Sequence, residues 1–384
     1  MKNRVLGRTG LQVGEIGLGC EALVELDAAA AQEMLNAAIE AGVNFFDLFA
    51  PQPQVRDAFG RAMKGRREKF ILQAHLCSAW VDGQYMRTRD MEVVKAAFAD
   101  MLARLDTDYV DVGMIHFVDE QKDFDEVSGG AVMEYAKELL AAGTVRHLGL
   151  STHNPRVAIQ AVQSGLIDVI MFSLNPAYDM LPPSEDINIL FDKATYEAPD
   201  VLSRTDPERQ ELYALCESQG VALTVMKPYA GGALLDAQAS PFGAAMTVAQ
   251  CLHYCLTRPG VATVLTGAKN IPEMMEAIAY RDLPEEEKDY STLLSSCPAH
   301  AFQDQCMYCG HCAPCPAGID IATVNKYADL CQAQGKVPET VADHYRLLSA
   351  KAGDCIGCGQ CEARCPFQVK IVEHMEKAKE MFGA

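Results

Sequence analysis

Near its C-terminus the chain reads Cys306-Met-Tyr-Cys309-Gly-His-Cys312-Ala-Pro-Cys315-Pro316, and some forty residues on it reads Cys355-Ile-Gly-Cys358-Gly-Gln-Cys361-Glu-Ala-Arg-Cys365-Pro366. Thiolates at two-residue gaps wrap the backbone around a metal–sulfide core. The second run has the C-x2-C-x2-C-x3-C-P spacing of [4Fe–4S] proteins, in which the fourth cysteine of each run ligates the other cluster. The first run is one residue shorter before its last cysteine. The crossed pattern assigns Cys306, Cys309, Cys312 and Cys365 to one cluster, and Cys355, Cys358, Cys361 and Cys315 to the other. Structural zinc sites also use C-x2-C pairs. Three evenly spaced cysteines per run, and proline after the fourth, favour iron–sulfur. The chemistry expected here is one-electron transfer.

The elements that must position the rest of the chemistry alternate from Glu15 to about Leu283. Eight short apolar runs read as buried strands: Glu15–Gly19, Val43–Asp47, Phe70–His75, Tyr109–His116, Val145–Ser151, Asp168–Phe172, Val221–Met226 and Val261–Leu265. Helical patterns separate them, as in Met91–Leu105, where Val94, Phe98, Met101 and Leu105 share a face. Gly42, Gly143 and Gly220 fall where glycines end helices. Strand-helix alternation repeated eight times predicts an α/β fold, a (β/α)8 TIM barrel. Residues 5–13, with Gly7 and Gly10 at the bend, read as a hairpin plugging the barrel bottom. The stretch from Phe172 to Pro207, with Pro182, Pro183, Tyr196 and Pro199, is too long for an ordinary connection and reads as a lid or binding loop.

Asp47, His75, His116 and His153 fall at or just beyond the ends of strands two to five, on one rim. An imidazole near neutrality is a good general acid or base, and a carboxylate beside it raises its pKa and holds its tautomer. The expected proton donor is His75 or His116 with Asp47 as orienter, and Tyr178 on the long loop is the next candidate. The same donors could instead bind zinc or non-haem iron, or be no more than hydrogen-bonded rim residues. Cys77, Trp80, Tyr85, Phe117 and Tyr178 are the expected pocket lining.

Several segments together resemble the aldo/keto reductases over roughly residues 3–283. Asn44-Phe-Phe-Asp47 is similar to the strand-two end bearing that family's tetrad aspartate, and residues 109–116 to strand four ending in the tetrad histidine. The resemblance implies NAD(P)H binding: the nicotinamide at Ser151 and Asn175, the pyrophosphate at Lys227, Pro228, Tyr229, Gly231 and Gly232, and the adenosine phosphate at Gly267, Lys269 and Asn270. Lys269 points toward NADPH. Two family positions differ: Gln52 or a neighbour stands where the catalytic tyrosine belongs, and His75 where its lysine belongs. Met171 replaces a carboxamide-binding glutamine. With its tail, the chain resembles reductases fused to a ferredoxin domain. The resemblance implies a barrel over residues 1–296 and a small, mostly α-helical ferredoxin-like domain over 297–384. A hydride carrier moves two electrons and a cluster one, so coupling them calls for a flavin or a radical-forming substrate; no residue run marks a flavin site. Electrons could also enter from a ferredoxin partner. A redox relay with a non-catalytic barrel, and a metal-dependent barrel enzyme, are the competing readings.

Composition sets the bounds. The chain has 384 residues, 15 cysteines and a formal net charge of −19. No Lys/Arg block stands out, which argues against nucleic acid and anionic membrane as partners. The N-terminus lacks the apolar stretch of a secretory signal, and no apolar run is long enough to span a bilayer. Cys20, Cys77, Cys216, Cys251 and Cys255 sit in apolar segments as buried thiols; Cys297 and Cys331 are unassigned. The expected compartment is a reducing cytoplasm.

Overall fold

A computed structural model of the chain describes residues 2–197, 204–296 and 302–383; Pro199 and Cys297 lie outside the described residues. The strands are β1 (Asn3–Val5), β2 (Gln12–Gly14), β3 (Ile16–Gly19), β4 (Phe45–Leu48), β5 (Ile71–Leu76), β6 (Ser78–Val81), β7 (Gln84–Arg87), β8 (Val110–Ile115), β9 (Val145–Thr152), β10 (Val169–Ser173), β11 (Ala222–Met226) and β12 (Val261–Thr266). Eight of them close into a parallel barrel in the order β3-β4-β5-β8-β9-β10-β11-β12. These are the eight apolar runs of the sequence. Every residue of β8, β10 and β12 is buried, as strands covered on both faces require.

The outer layer is α1 (Ala28–Glu40), α2 (Pro53–Met63), α3 (Met91–Leu105), α4 (Gln121–Gly129), α5 (Ala131–Ala141), α6 (Pro155–Gln163), α7 (Pro207–Gln219), α8 (Val248–Thr257) and α9 (Ile271–Ala279). Asp27, Asp90, Asn154, Asp206, Thr247 and Asn270 cap their helices through side-chain oxygens, the residue types that satisfy free N–H groups there. The β1–β2 hairpin closes the bottom. Leu6 and Val13 pack with Phe45, Val112, Met114 and Val169 inside the barrel, and Arg8 anchors the hairpin to Asp168 at 2.7 Å.

The segment after β10 is less of a lid than its length suggests. Leu174, Ala177, Tyr178, Asp179, Met180 and Leu181 are all buried. Asp179 accepts hydrogen bonds from Tyr213 Oη at 2.5 Å and Tyr254 Oη at 2.8 Å, so this segment is a wall bolted to α7 and α8. The exposed portion begins beyond Leu181.

After α10 (Glu285–Lys288) and α11 (Ser291–Ser296) the tail forms α12 (Ile321–Gln334), α13 (Glu339–Arg346), α14 (Gln360–Arg364) and α15 (Ile371–Phe382). Among the described residues it contains no strand, in keeping with its mostly helical sequence pattern. Leu330, Cys331 and Val341 pack on Ala214 of α7. Arg258 and Tyr290 both donate to the Met307 carbonyl, at 2.5 and 2.6 Å. Tail and barrel flank are therefore in intimate contact. Among the described residues, no helix is long and apolar enough to cross a membrane.

Candidate active site and cysteine-lined cavities

At the C-terminal ends of parallel strands, side chains pointing inward converge on the barrel mouth. Gln73 and His75, two residues apart on β5, point the same way and both meet Asp47 of the neighbouring β4. Asp47 Oδ1 lies 2.6 Å from Gln73 Nε2 and 2.9 Å from His75 Nε2. His75 Nδ1 is 2.8 Å from His116 Nδ1, and His116 Nε2 is 2.8 Å from Tyr85 Oη. Four side chains thus form one hydrogen-bonded line: Asp47, His75, His116, Tyr85. The Phe49 ring stacks on His116 with centroids 5.5 Å apart.

The carboxylate settles the tautomers. Asp47 only accepts, so His75 carries its proton on Nε2 and offers a lone pair at Nδ1. His116 then donates from Nδ1 and accepts at Nε2 from the Tyr85 hydroxyl. Gln73 sits behind this line, taking a hydrogen bond from Thr224 at 3.1 Å and contacting the Met171 sulfur at 3.4 Å. Sequence reasoning missed Gln73, Asp119 and the contact of Tyr85 with His116. The signal for Gln73 was a second polar residue at an inward position of an otherwise apolar strand. The signal for the Tyr85 hairpin was Asp82-Gly83, a pair favoured in tight hairpin turns, here at φ +50° and +77°.

His153 belongs to a separate dyad. Its Nδ1 is 2.9 Å from Asp119 Oδ2, while Asp119 Oδ1 accepts from the His153 backbone N–H at 2.7 Å and from Thr152 Oγ1 at 2.9 Å. Its Nε2 is buried without a partner. Asp47, His75, His116 and His153 therefore do not surround one point, and among the described residues no three His, Cys, Asp or Glu side chains converge enough to hold a single metal ion. This geometry speaks against a mononuclear metal on the rim.

Burial, followed by the positive fields of His75 and Arg89, holds the His116 pKa well below that of free histidine. Burial likewise lowers His153, outweighing the pull of Asp119. Both rings are neutral in the native protein where free histidine, with a pKa of 6.5, begins to protonate. Below that pH the unfolded chain takes up protons the native chain refuses, so stability drops as the pH is lowered, by up to ~1.4 kcal/mol per pH unit for each histidine. Denaturant midpoints should be lower at pH 5.5 than at pH 7.5, with a smaller difference in His153→Asn. An equal difference in both proteins would contradict this assignment.

The nucleotide candidates lie at or just after the ends of β9, β10, β11 and β12. Ser151 Oγ accepts from the Phe117 N–H at 2.8 Å and keeps its own proton free to donate. Asn175 is committed to bracing: its oxygen accepts from the Ala177 and Tyr178 N–H groups, and its amide donates to Lys227 O. Lys227 is half-buried, and desolvation lowers its pKa; Pro228 is buried beside it. Gly231 and Gly232 have φ of +68° and +99°, and a β-carbon at either would meet open space. Their backbone can approach an anion closely. Gly267 and Lys269 are exposed, but Glu273 occupies this corner: it accepts from the Lys269 N–H at 2.9 Å and the Asn270 amide at 2.8 Å. Tyr178 and Tyr229 bury hydroxyls without partners, and Gln52, just before α2, buries an unpartnered Oε1.

On the flank of the barrel, the two cysteine runs interleave. One cavity is lined by Cys306, Cys309, Cys312 and Cys365, a second by Cys315, Cys355, Cys358 and Cys361. Arg364 stitches the runs together, donating to the carbonyls of Cys312 and Pro314 at 2.6 and 2.8 Å. Asn325 Nδ2 points at Cys306 Sγ, 3.5 Å away. Burial raises the thiol pKa of Cys306, Cys309 and Cys361, and pushes Cys312 up to about 12. The first cavity abuts the barrel through Met307; the second faces outward, with Cys358 exposed.

The sequence model of the Aldo/keto reductase family matches residues 12–248. An uncharacterized oxidoreductase of Bacillus subtilis (strain 168), YqkF, is 28% identical over 318 residues, covering 79% of this chain and 98% of that protein. The L-galactose dehydrogenase of Arabidopsis thaliana is 24% identical over 305 residues, covering 72% and 86%. Among solved structures, the holo form of aldo-keto reductase AKR11C1 from Bacillus halodurans superimposes with a TM-score of 0.59 at 24% identity, covering 79% of this chain and 98% of its own. The barrel, the rim and the family match converge: the chain belongs to the aldo/keto reductase family.

Proposed function

We propose that this oxidoreductase of the aldo/keto reductase type passes a hydride between a nicotinamide dinucleotide and a small carbonyl or alcohol substrate. On this reading residues 1–296 are the catalytic barrel, and residues 297–384 are a ferredoxin-like domain with two [4Fe–4S] clusters that exchanges electrons with it. The observation that carries the reading is the pairing of an Asp47–His75–His116 hydrogen-bonded line at the barrel mouth with two separate fours of cysteines on its flank.

The residues suit both groups. Unpartnered buried polar atoms of Gln52, His153, Tyr178 and Tyr229 lie on the loops that follow strand ends, and such atoms call for a ligand or an ordered water. Ser151, Lys227 and the Gly231-Gly232 backbone would hold the nucleotide, which supplies the hydride when bound. Glu273 would repel a 2′-phosphate at the Lys269–Asn270 corner, while a carboxylate can accept from a ribose hydroxyl; NADH therefore fits this corner better than NADPH. Asp47 fixes the His75 tautomer, and His75 and His116 hold and move the proton. The free Nε2 of His153 would anchor a polar group of the substrate.

In the tail, four cysteines line each cavity, while among the described residues no three converge on a single-ion point. A zinc site needs its sulfurs about 2.3 Å from one centre, so a polynuclear cluster is the better match. Such a cluster supplies one electron at a time. The exposed Cys358 and Ile356 mark the face an external redox protein would approach.

Anaerobic titration with NADH, then NADPH, tests the whole reading. The broad visible absorption of the clusters should bleach, at lower concentration with NADH. Reduction by dithionite with no response to either nucleotide would remove NAD(P)H as donor and leave a ferredoxin-fed barrel. A colourless, zinc-loaded protein would remove the clusters.

A further inference from the structure

We infer that Tyr85 is a catalytic residue: its hydroxyl exchanges the proton with the substrate oxygen, and His116, His75 and Asp47 form the relay behind it. The inference rests on the hydride-transfer reading of the barrel and adds the group that reading lacks.

Three observations lead to Tyr85. Both ring nitrogens of His75 and both of His116 are spent inside the line. Neither imidazole has a nitrogen left for substrate while the line is intact. The line must therefore exchange protons at an end, and only one end is open. Asp47, His75 and His116 are 2%, 3% and 7% exposed, whereas Tyr85 is 44% exposed.

The second observation is how the hairpin is held. Strands β6 and β7 grow directly from the end of β5, after Cys77 at φ +69°, and pair antiparallel with Trp80 opposite Tyr85. A free two-stranded ribbon is barely stable in water, so this one is pinned. Ser78 Oγ donates to Phe49 O at 2.8 Å and Arg87 to Phe117 O at 2.9 Å. Just beyond it, Arg89 clamps Asp123 and the carbonyls of His116 and Phe117. These bonds hold the tyrosine hydroxyl against His116 while one side of its ring faces water.

The third is polarity. With Asp47 as the terminal acceptor, every donor in the line points inward, from Tyr85 to His116 to His75 to Asp47. In this state the line accepts a proton. As an alcohol is oxidised, its hydroxyl proton passes to Tyr85 Oη and the Tyr85 proton to His116 Nε2. The His116 Nδ1 proton moves to His75 Nδ1, leaving a His75 imidazolium beside the Asp47 carboxylate. The C–H electron pair leaves as hydride to an oxidised nicotinamide, and the carbonyl forms. Reduction of a carbonyl runs the same transfers backward, with Tyr85 giving its proton to the new alkoxide oxygen. Burial lowers His116 and raises Tyr85, consistent with this resting polarity.

Covalent labelling of the full, cluster-loaded chain with benzenesulfonyl fluoride, quantified at Tyr85 by peptide mapping, reads hydroxyl activation without any substrate. Tyr85 should label with a rate whose acid limb follows an imidazole rather than a phenol, and Asp47→Asn should slow it at least ~10-fold, a modest share of a general-base contribution. Asp47 is two imidazoles away from the hairpin, so loss of a merely structural support would not act there. A wild-type labelling rate in Asp47→Asn, or a rate following phenol ionisation alone, overturns the relay. In parallel, nucleotide-linked turnover of 4-nitrobenzaldehyde should fall ~10²-fold or more in Tyr85→Phe with nucleotide affinity unchanged. Wild-type turnover in that variant overturns the catalytic role. A wild-type chain inactive with both nucleotides overturns the hydride reading itself, and Tyr85 is then judged on labelling alone.

Discussion

On the two-cluster proposal, Cys365→Ser is expected to abolish the cluster assigned to Cys306, Cys309 and Cys312 while sparing the other. Cys365 stands in the second run but lines the cavity of the first, and Cys315 does the reverse. Cubane clusters need four thiolates each, so losing the fourth ligand should lower iron from about eight to about four atoms per chain. The electron paramagnetic resonance spectrum of the dithionite-reduced protein identifies the survivor. Cys365→Ser should match Cys306→Ser, and Cys315→Ser should match Cys355→Ser. If Cys365→Ser instead matches Cys355→Ser, each run keeps its own four ligands and the crossed assignment is wrong. Burial raises the thiol pKa of Cys306, Cys309 and Cys312, so without a metal these three side chains favour the protonated form. If clusters occupy the cavities, their binding and tail folding are coupled, and the first-cavity variants should also raise proteolysis around α12.

Asp179→Ala is expected to be the most destabilising single change in the barrel, at ~3–5 kcal/mol, the usual cost of removing one partner from a buried ionic network. Asp179 has no exposed surface. Its loss orphans the Tyr213 and Tyr254 hydroxyls and removes the carboxylate 3.8 Å from Arg209, itself buried beneath the Phe172 ring. Arg209 retains the carbonyls of Ser173 and Leu181 at 3.2 and 3.3 Å. Asp179→Asn keeps an acceptor for one tyrosine and should cost about half as much. Anaerobic denaturant unfolding of both variants measures the difference. A midpoint for Asp179→Ala within error of wild type would mean that the post-β10 wall is not part of the cooperative core. Since Tyr178 and Asn175 are braced by the same wall, nucleotide affinity should weaken together with stability.

The placement of the tail follows from the same contacts. Its first cysteine cavity is tied to the barrel through Met307, which receives both Arg258 and Tyr290, and the Tyr308 ring lies 5.2 Å from the Arg258 guanidinium carbon. The second cavity is the outer one. This order suits a reading in which electrons enter at the exposed Cys358 side and leave beside α8.

The sequence by itself determined the barrel and the helical tail, because both rest on local signals. Most residues of the barrel strands are buried on both faces, so the strands appear as short, mainly apolar runs whatever their neighbours are. The spacing of the cysteine runs likewise stands in the sequence without reference to the fold. Asp47, His75 and His116 were legible as strand-end residues for the same reason. What only the tertiary structure decided is who touches whom across the barrel. Gln73 meets Thr224 from 151 positions away, and His75 meets His116 from 41; neither pairing follows from period or propensity. His153 looked like a fourth member of one rim cluster, yet its ring pairs with Asp119 because the loop after β8 curls back over the end of β9. Tyr85 stood in the sequence as one aromatic residue among several. Only closure of the barrel and the pinned hairpin set its hydroxyl 2.8 Å from His116. A hydrogen bond needs sub-ångström placement of two groups, and that precision comes from packing summed over the whole core rather than from any local stretch of chain.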